Sequence, residues 1–387
     1  VSRPDLHICF VLPPFEIYAP ERGLALAIIT FEMVTELRRR GIATTVITPS
    51  DGGPLYEGGR TVAIPYDPSN LRRTPWSRLL GRVEHWDVGE YRAYVRHCRK
   101  AVDSLDPRPD VLILFNDLVT GGLLKKHTAI PVLTWLQNEV STAHRTGLRE
   151  LRTTDGILAV STYIAEWARE TYGDDAPPIH VMPNAVNASR FSVDEGHERR
   201  DPSRLRTCFV GRIDPNKGPL LAARSVERVR KEGFDVDIDV AGPIIAWGQD
   251  DAVVADYVAD LRETISRVGG RWVGMVSRDD LPAFYRDHDV VFVPSVSPEP
   301  FGLVALEAMA SGCAVIASDR GGLPEVCADA ASLIDPEDDA QFDRAIRAFA
   351  ADRADLDRAR LAARAHAESR QWDRTANRLL DVVASLR

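Results

Sequence analysis

The sequence predicts two doubly wound α/β domains. Short apolar runs alternate with longer segments of helical period along most of the chain. That alternation marks parallel sheets built from crossover helices. Several runs, VVFVP and AVIAS among them, are apolar at every position, as strands covered on both faces are. The 387 residues are enough for two domains of ordinary size. A polar, turn-rich stretch between Asn184 and Leu205, NAVNASRFSVDEGHERRDPSR, is the candidate boundary.

The elements follow in order. His7 to Leu12 reads as the first strand, and Gly23 to Arg40 as a helix with Gly41 as its stop. Thr44 to Thr48, Val111 to Phe115, Val132 to Leu136 and Gly156 to Val160 are further strands. Arg206 to Val210 restarts the rhythm after the polar stretch. Val236 to Ala241, Arg271 to Val273, Val290 to Val293 and Ala314 to Ala317 continue it. From Asp355 the chain is rich in Arg, Ala and Leu and helical, with Trp372 and Leu379 on one buried stripe.

Composition removes several function classes. A hydrophobic fraction of 44% and a charged fraction of 27% are those of a soluble globular protein. The net charge of −9 leaves no basic footprint for nucleic acid. No apolar run reaches the ~18 residues of a bilayer span, and the start lacks the regions of a secretory signal. Cys9, Cys98, Cys208, Cys313 and Cys327 are odd in number and scattered, so neither a disulfide framework nor a zinc site follows. A reduced, cytoplasmic protein is expected. The histidines show no metal-ligand spacing, and no metal site is predicted.

Three segments carry chemistry. In FVGRIDPNKG a strand ends at Gly211, and Arg212 and Lys217 flank a turn. Two cations at the carboxyl edge of a parallel sheet suit a diphosphate, although solvated surface cations would look the same. In PSVSPEPFGLVALEAMASG, Pro300 keeps Glu299 in the loop, and a helix is expected to begin near Pro300 or Phe301 and end at Gly312. Phe301, Gly302 and Leu303 would then offer N–H groups to an anion. Glu307 sits on a helix with almost no other polar residue, where a carboxylate is costly unless partnered. The third segment, SDRGGLPE, places Gly321 and Gly322 after a strand, where the backbone can approach a ligand closely.

The order GR…KG, EPFGLVALE, GGLPE resembles the retaining glycosyltransferases of family 4, whose main signature is a pair of glutamates eight residues apart. RTTDGILAVSTYIAEWARE, IHVMPNAVNASRF, DVAGP and GMVSRDDLPAFYRDHDVVFVPS extend the likeness over most of the chain, more closely in its C-terminal half. The resemblance implies the GT-B fold, with two Rossmann-like domains facing each other across a cleft. Residues 1–190 would bind the acceptor and 200–368 the nucleotide sugar, and a final helix over 369–387 would cross back to the N-terminal domain. It further implies that Arg212 and Lys217 neutralise the donor diphosphate and Glu307 holds the ribose. Glu299 would bind hydroxyls of the transferred sugar, with Phe301, Gly302 and Leu303 donating N–H groups. Val273 to Val276, Met275 among them, would pack against the base. Such enzymes work without a bound metal or a further cofactor. The partners expected are a nucleotide sugar, most often UDP-linked, and a hydroxyl-bearing acceptor.

The N-terminal half departs from the family pattern. APERGLAL has Arg22 where a glycine usually stands, with Gly23 retained beside the donor. Gln137 stands where a histidine is common, which removes a proton carrier. Asn116, Asp117, Asn138 and Glu139 follow strands and are acceptor-side candidates, as are Arg22 and the nearby His144. DVDID, Asp235 to Asp239, has the spacing of metal-dependent transferases of another fold, but its period of two reads better as edge-strand carboxylates facing solvent. Leu71 to Trp86 is basic with interleaved Trp and Leu, either a packed segment near the acceptor or a peripheral membrane contact. Two rival functions remain open at this point: a nucleotide-sugar 2-epimerase of the same fold, and a non-catalytic sugar-nucleotide-binding partner subunit.

Overall fold

A computed structural model describes residues 6–20, 24–65, 88–140, 150–192, 203–245 and 250–386, with side chains from residue 92 onward in the third segment. Arg22, Gly23, His144 and Leu71 to Trp86 lie outside the described residues. The chain divides into two compact units, Val1–Asn184 with Trp372–Arg387, and Ala185–Gln371.

The first unit holds a seven-stranded parallel sheet. Its strands are β1 (His7–Val11), β2 (Ala43–Ser50), β3 (Arg60–Pro65), β4 (Val111–Phe115), β5 (Val132–Leu136), β6 (Gly156–Ala159) and β7 (Ile179–Val181), in the order 3-2-1-4-5-6-7. Helices α1 (Ala25–Arg39), α2 (Val88–Asp103), α3 (Leu118–Lys125) and α4 (Thr162–Tyr172) form the crossovers. HICFV, VLILF and VLTWL are buried at every position, which is why they read as continuous apolar runs. The edge strands β3 and β7 are half exposed and carry no such run, so the sequence pattern passes over them.

The second unit holds β8 (Leu205–Val210), β9 (Val236–Ala241), β10 (Arg271–Gly274), β11 (Val290–Val293), β12 (Ala314–Ser318) and β13 (Ser332–Ile334). They form a parallel sheet of order 10-9-8-11-12-13. Its helices are α5 (Pro219–Lys231), α6 (Asp251–Arg267), α7 (Leu281–Arg286), α8 (Leu303–Ala310), α9 (Leu323–Cys327), α10 (Asp339–Ala351) and α11 (Arg353–Glu368). Phe209, Val226, Val240, Leu261, Phe292 and Phe342 lie in one buried cluster under this sheet. Each sheet reverses its strand order once, between β1 and β4 and between β8 and β11. Ligands of doubly wound sheets bind at the carboxyl ends of the strands beside such a reversal.

The unit boundary falls between Asn184 and Ala185, at the start of the polar stretch that suggested it. Residues beyond it are already held by the second unit. Val186 donates to Arg370 O at 2.9 Å, and Arg364 Nη1 donates to Phe191 O at 2.8 Å. The final helix, α12 (Trp372–Ser385), belongs to the first unit, where Trp372 and Leu379 are buried. Arg40, which follows α1, donates to Asp373 O at 2.7 Å, and Thr375 Oγ1 to Pro183 O at 2.9 Å.

Candidate active site

β8 and β11 bracket the reversal in the second sheet, and the loops leaving their carboxyl ends carry the predicted cations and carboxylates. Gly211 closes β8, its N–H bonded to Ala241 O at 3.0 Å. In the turn that follows, Asp214 is buried and its Oδ1 accepts the N–H groups of Asn216 (2.9 Å) and Lys217 (3.2 Å). The carboxylate therefore fixes the backbone that carries Lys217. Arg212 Nη2 stands 3.5 Å from Asp214 Oδ2, its side chain about one third exposed. Lys217 Nζ donates to Glu299 Oε2 at 2.5 Å, and Ser295 Oγ donates to the same oxygen at 2.8 Å. The β8 loop and the β11 loop thus meet in one charge-assisted cluster.

Glu299 is positioned by the third segment. Its backbone pairs with Gly321, and Gly322 N–H donates to Glu299 O at 2.6 Å. Gly321 has a left-handed φ of 64°, and a methyl group there would stand 2.4 Å from Glu299 O. The close approach expected of the Gly-Gly pair is thus made by the Glu299 backbone.

Helix α8 starts at Leu303, later than Pro300 or Phe301, because Gly302 turns left-handed at φ 99°. Phe301 and Gly302 stand ahead of the helix, and the Phe301 side chain is buried. The first orphan N–H groups are those of Leu303 and Val304, since Ala305 N–H bonds Gly302 O at 3.0 Å. Glu307 is buried, and Arg278 Nη1 lies 3.6 Å from its Oε1. Arg278 is thus the partner that a carboxylate on so apolar a helix requires. The signal was there: it is the one cation between β10 and α7. Val273 in β10 and Met275 on the loop after it are exposed apolar side chains, and Val276 is half-buried.

The first-unit candidates fare differently. Asp117 is a buried cap of α3, its Oδ1 accepting Thr120 N–H at 2.8 Å, and burial pushes its carboxyl up to about 6. It serves the helix. Asn116, at φ 50°, accepts Gln137 N–H on Oδ1 at 2.6 Å and so ties the end of β4 to that of β5. Gln137 exchanges amide hydrogen bonds with Asn184 at 3.2 and 2.8 Å. Asn138 and Glu139 are exposed, and Glu139 accepts the Tyr163 hydroxyl. Sequence reasoning passed over Glu16, which is buried and accepts Ala27 N–H at 2.9 Å in the first turn of α1. Burial raises its carboxyl to about 7.

Asp237 and Asp239 are not edge-strand carboxylates, for β9 lies between β8 and β10; Asp235, ahead of the strand, is exposed. Asp237 pairs with Arg204 at 2.5 Å, and the buried Asp239 pairs with Arg271 and with His288 at 3.3 Å. His288 and Arg271 hold the Asp239 carboxyl below its usual range against the opposing effect of burial. Among the described residues no group of three or more His, Cys, Asp or Glu is placed to hold a metal ion. All five cysteines are buried free thiols. No helix of the described residues is long and apolar enough to cross a membrane.

Two all-parallel doubly wound sheets, with a basic and acidic loop cluster at the reversal of the second, define a protein of the GT-B glycosyltransferase class. Solved structures agree on the fold. Sucrose-phosphate synthase from Thermosynechococcus elongatus aligns with a TM-score of 0.78 at 18% identity, over 98% of this chain and 99% of that one. HepE of Anabaena in complex with UDP gives 0.70 at 18%, over 98% and 100%. A trehalose-phosphate synthase (UDP-forming) from Burkholderia xenovorans in complex with glucose-6-phosphate gives 0.73 at 16%, over 97% and 99%. Residues 26–190 match the model for Glycosyltransferase Family 4, and residues 194–368 that for Glycosyl transferases group 1. The chain belongs to this glycosyltransferase family. It is 36% identical over 238 residues to a D-inositol 3-phosphate glycosyltransferase of Nocardia farcinica, covering 59% of this chain and 52% of that one. With the one from Salinispora arenicola the identity is 31% over 230 residues, covering 55% and 51%. The chain spans about half the length of these curated relatives.

Proposed function

We propose that the protein moves a hexosyl or N-acetylhexosaminyl group from a nucleotide-diphosphate sugar to an acceptor hydroxyl, with retention at the anomeric carbon and without a bound metal ion. The observation that carries this is the Lys217–Glu299–Ser295 cluster between the β8 and β11 loops, immediately ahead of α8. Departure of a nucleoside diphosphate leaves charge on the β-phosphate that must be stabilised. Arg212, Lys217 and the N–H groups of Leu303 and Val304 supply positive charge there. Lys217 then serves two anions, the Glu299 carboxylate and the phosphate, and orients Glu299 towards the sugar hydroxyls. Glu307, turned by Arg278, takes the ribose hydroxyls. Val273, Met275 and Val276 cover one face of the base.

The route is front-face. The acceptor oxygen and the leaving phosphate share one side of an oxocarbenium-like transition state, and a phosphate oxygen takes the acceptor proton. Positioning does most of this work. Gln137 and Asn184 satisfy each other and supply no base, which agrees with a phosphate acting as one. UDP is the favoured nucleotide, since the solved neighbours include one bound to UDP and one named UDP-forming. A phosphorylated polyol or sugar is the favoured acceptor, since the relatives carry inositol phosphate in their names and one neighbour holds glucose-6-phosphate. A reduced, cytoplasmic setting fits the five free thiols.

The test is turnover of UDP-, GDP-, ADP- and dTDP-sugars with inositol 3-phosphate and glucose 6-phosphate in EDTA, with the product read by proton NMR. Transfer with retained anomeric configuration is expected. Inversion, or turnover that needs added Mg²⁺ or Mn²⁺, would overturn the mechanism. Conversion of the donor to its 2-epimer without acceptor would replace it with the isomerase reading.

A further inference from the structure

A cavity of about 440 Å³ opens in the first unit, lined by His7, Arg38, Thr44, Thr45, Arg60 and Pro107 among others. His7, Ala43 and Arg60 are the first residues of β1, β2 and β3. The cavity therefore lies at the amino edge of the sheet, opposite the carboxyl ends that carry Asn116 and Gln137. No residue lining it belongs to the site described above.

Two guanidinium groups share this cavity, and neither meets a carboxylate among the described residues. Among the described residues Arg38 forms no ion pair, and Arg60 donates Nη1 to the Asp106 carbonyl at 2.9 Å. The neighbouring acids are engaged elsewhere. Glu36 pairs with Arg39 and Arg40, and Asp110 accepts the His7 N–H at 2.8 Å. Nor is Arg38 needed to cap α1, because the Leu37 and Arg38 carbonyls already accept N–H groups from Arg40, Gly41 and Ile42. A methyl group added to Gly59 would stand 3.4 Å from Arg38 Nη1 and 3.9 Å from Thr44 Oγ1. The Arg38 fork thus lies against the residue before Arg60. Thr44 is 7% exposed, and its hydroxyl has no hydrogen-bond partner among the described residues. The His7 ring is held between Pro107 O (3.0 Å) and Thr45 Oγ1 (2.8 Å).

We propose that this cavity binds a small phosphate-bearing metabolite. Planar guanidinium forks match the oxygens of a phosphate monoester, and the volume falls in the range of small-molecule sites. The proposal is independent of the donor reading.

The experiment titrates glucose 6-phosphate and inorganic phosphate into the full chain and follows the His7 ring resonance by NMR, assigned by its loss in His7→Gln. A saturable shift with glucose 6-phosphate is expected. Arg38→Ala with Arg60→Ala should weaken it at least tenfold or abolish it, and both side chains are exposed, so the variant should melt as the parent does. Thr44→Val should weaken it by up to about tenfold. Arg212→Ala with Lys217→Ala should leave it intact, which separates this cavity from any phosphate bound at the donor site. No saturable shift up to about 10 mM, some tenfold above a millimolar Kd, would overturn the proposal. So would a shift that survives Arg38→Ala with Arg60→Ala. A shift with inorganic phosphate but none with the sugar phosphate would mean an adventitious ion only and would also overturn it.

Discussion

Lys217 and Glu299 neutralise each other at 2.5 Å while both stay partly open to solvent, with side chains 25% and 16% exposed. An ion pair built only for stability gains little from such exposure. One poised to exchange a partner for an incoming anion gains function from it. Lys217→Met should lower kcat about 10²-fold or more and leave the melting temperature within a few degrees. A steady-state assay beside a thermal melt checks both. Glu16 makes a different statement. Burial puts its carboxyl near pH 7 instead of its ordinary 4.5, so the native state holds a proton that the unfolded chain releases. Stability therefore falls as pH rises from about 4.5 to about 7 and is flat in this respect above that. Glu16→Gln keeps an acceptor for Ala27 N–H and removes the ionisation. It should flatten that part of the stability profile and add up to about 3 kcal/mol at pH 8, read by urea unfolding at pH 5, 6, 7 and 8. An unchanged slope would contradict the burial argument.

At the scale of elements, the site rests on backbone contacts more than on side chains. Gly321 lets the Glu299 backbone come within bonding reach, and a β-carbon there meets backbone atoms on the other side. Gly321→Ala should therefore displace Glu299, costing on the order of 1–3 kcal/mol of stability and at least tenfold in kcat. Unaltered kcat would show that the loop tolerates the shift. The far end of α8 is held as firmly. Arg364 donates to Ala310 O, and Arg360 Nε donates to Gly312 O at 2.6 Å, cations at the helix terminus where carbonyls are orphaned. These contacts explain what could and could not be read from sequence. The EPFGLVALE run was legible because an apolar helix with one carboxylate is anomalous by itself. Its true start was not legible, because Pro300 permits a helix and only the left-handed Gly302 forbids one. Arg278 was visible as the one cation between β10 and α7, but its partnership with Glu307, 29 positions away, was not. A strand-end carboxylate such as Asp117 looks the same in sequence whether it meets a ligand or caps a helix, and only the structure shows the cap.

At the scale of the molecule, two sheets of the same winding carry unequal signals. Both were legible as alternating apolar runs, since the central strands are buried on both faces. The half-exposed β3 and β7 were not. The boundary was legible as the stretch from Asn184 to Leu205, and it falls at the start of that stretch, where Arg370 O accepts Val186 N–H and the Arg364 side chain donates to Phe191 O. The final helix belongs to the first unit although it follows the second in sequence. Leu379 is fully buried there. Leu379→Ala should cost about 2–5 kcal/mol. Because each unit has its own core, that loss should move the melting of the first unit by several degrees and leave the second in place, as seen by calorimetry. A uniform shift would mean that the two units unfold as one.

The account turns on whether the second unit holds a sugar nucleotide through Lys217 and Glu307 without a metal. Calorimetric titration of UDP-glucose and its GDP, ADP and dTDP counterparts into the protein in EDTA measures this directly. One site of micromolar affinity for one member is expected, weakened at least tenfold in both Lys217→Ala and Glu307→Ala. No binding to any member, or binding that appears only when Mg²⁺ or Mn²⁺ is restored, would contradict it.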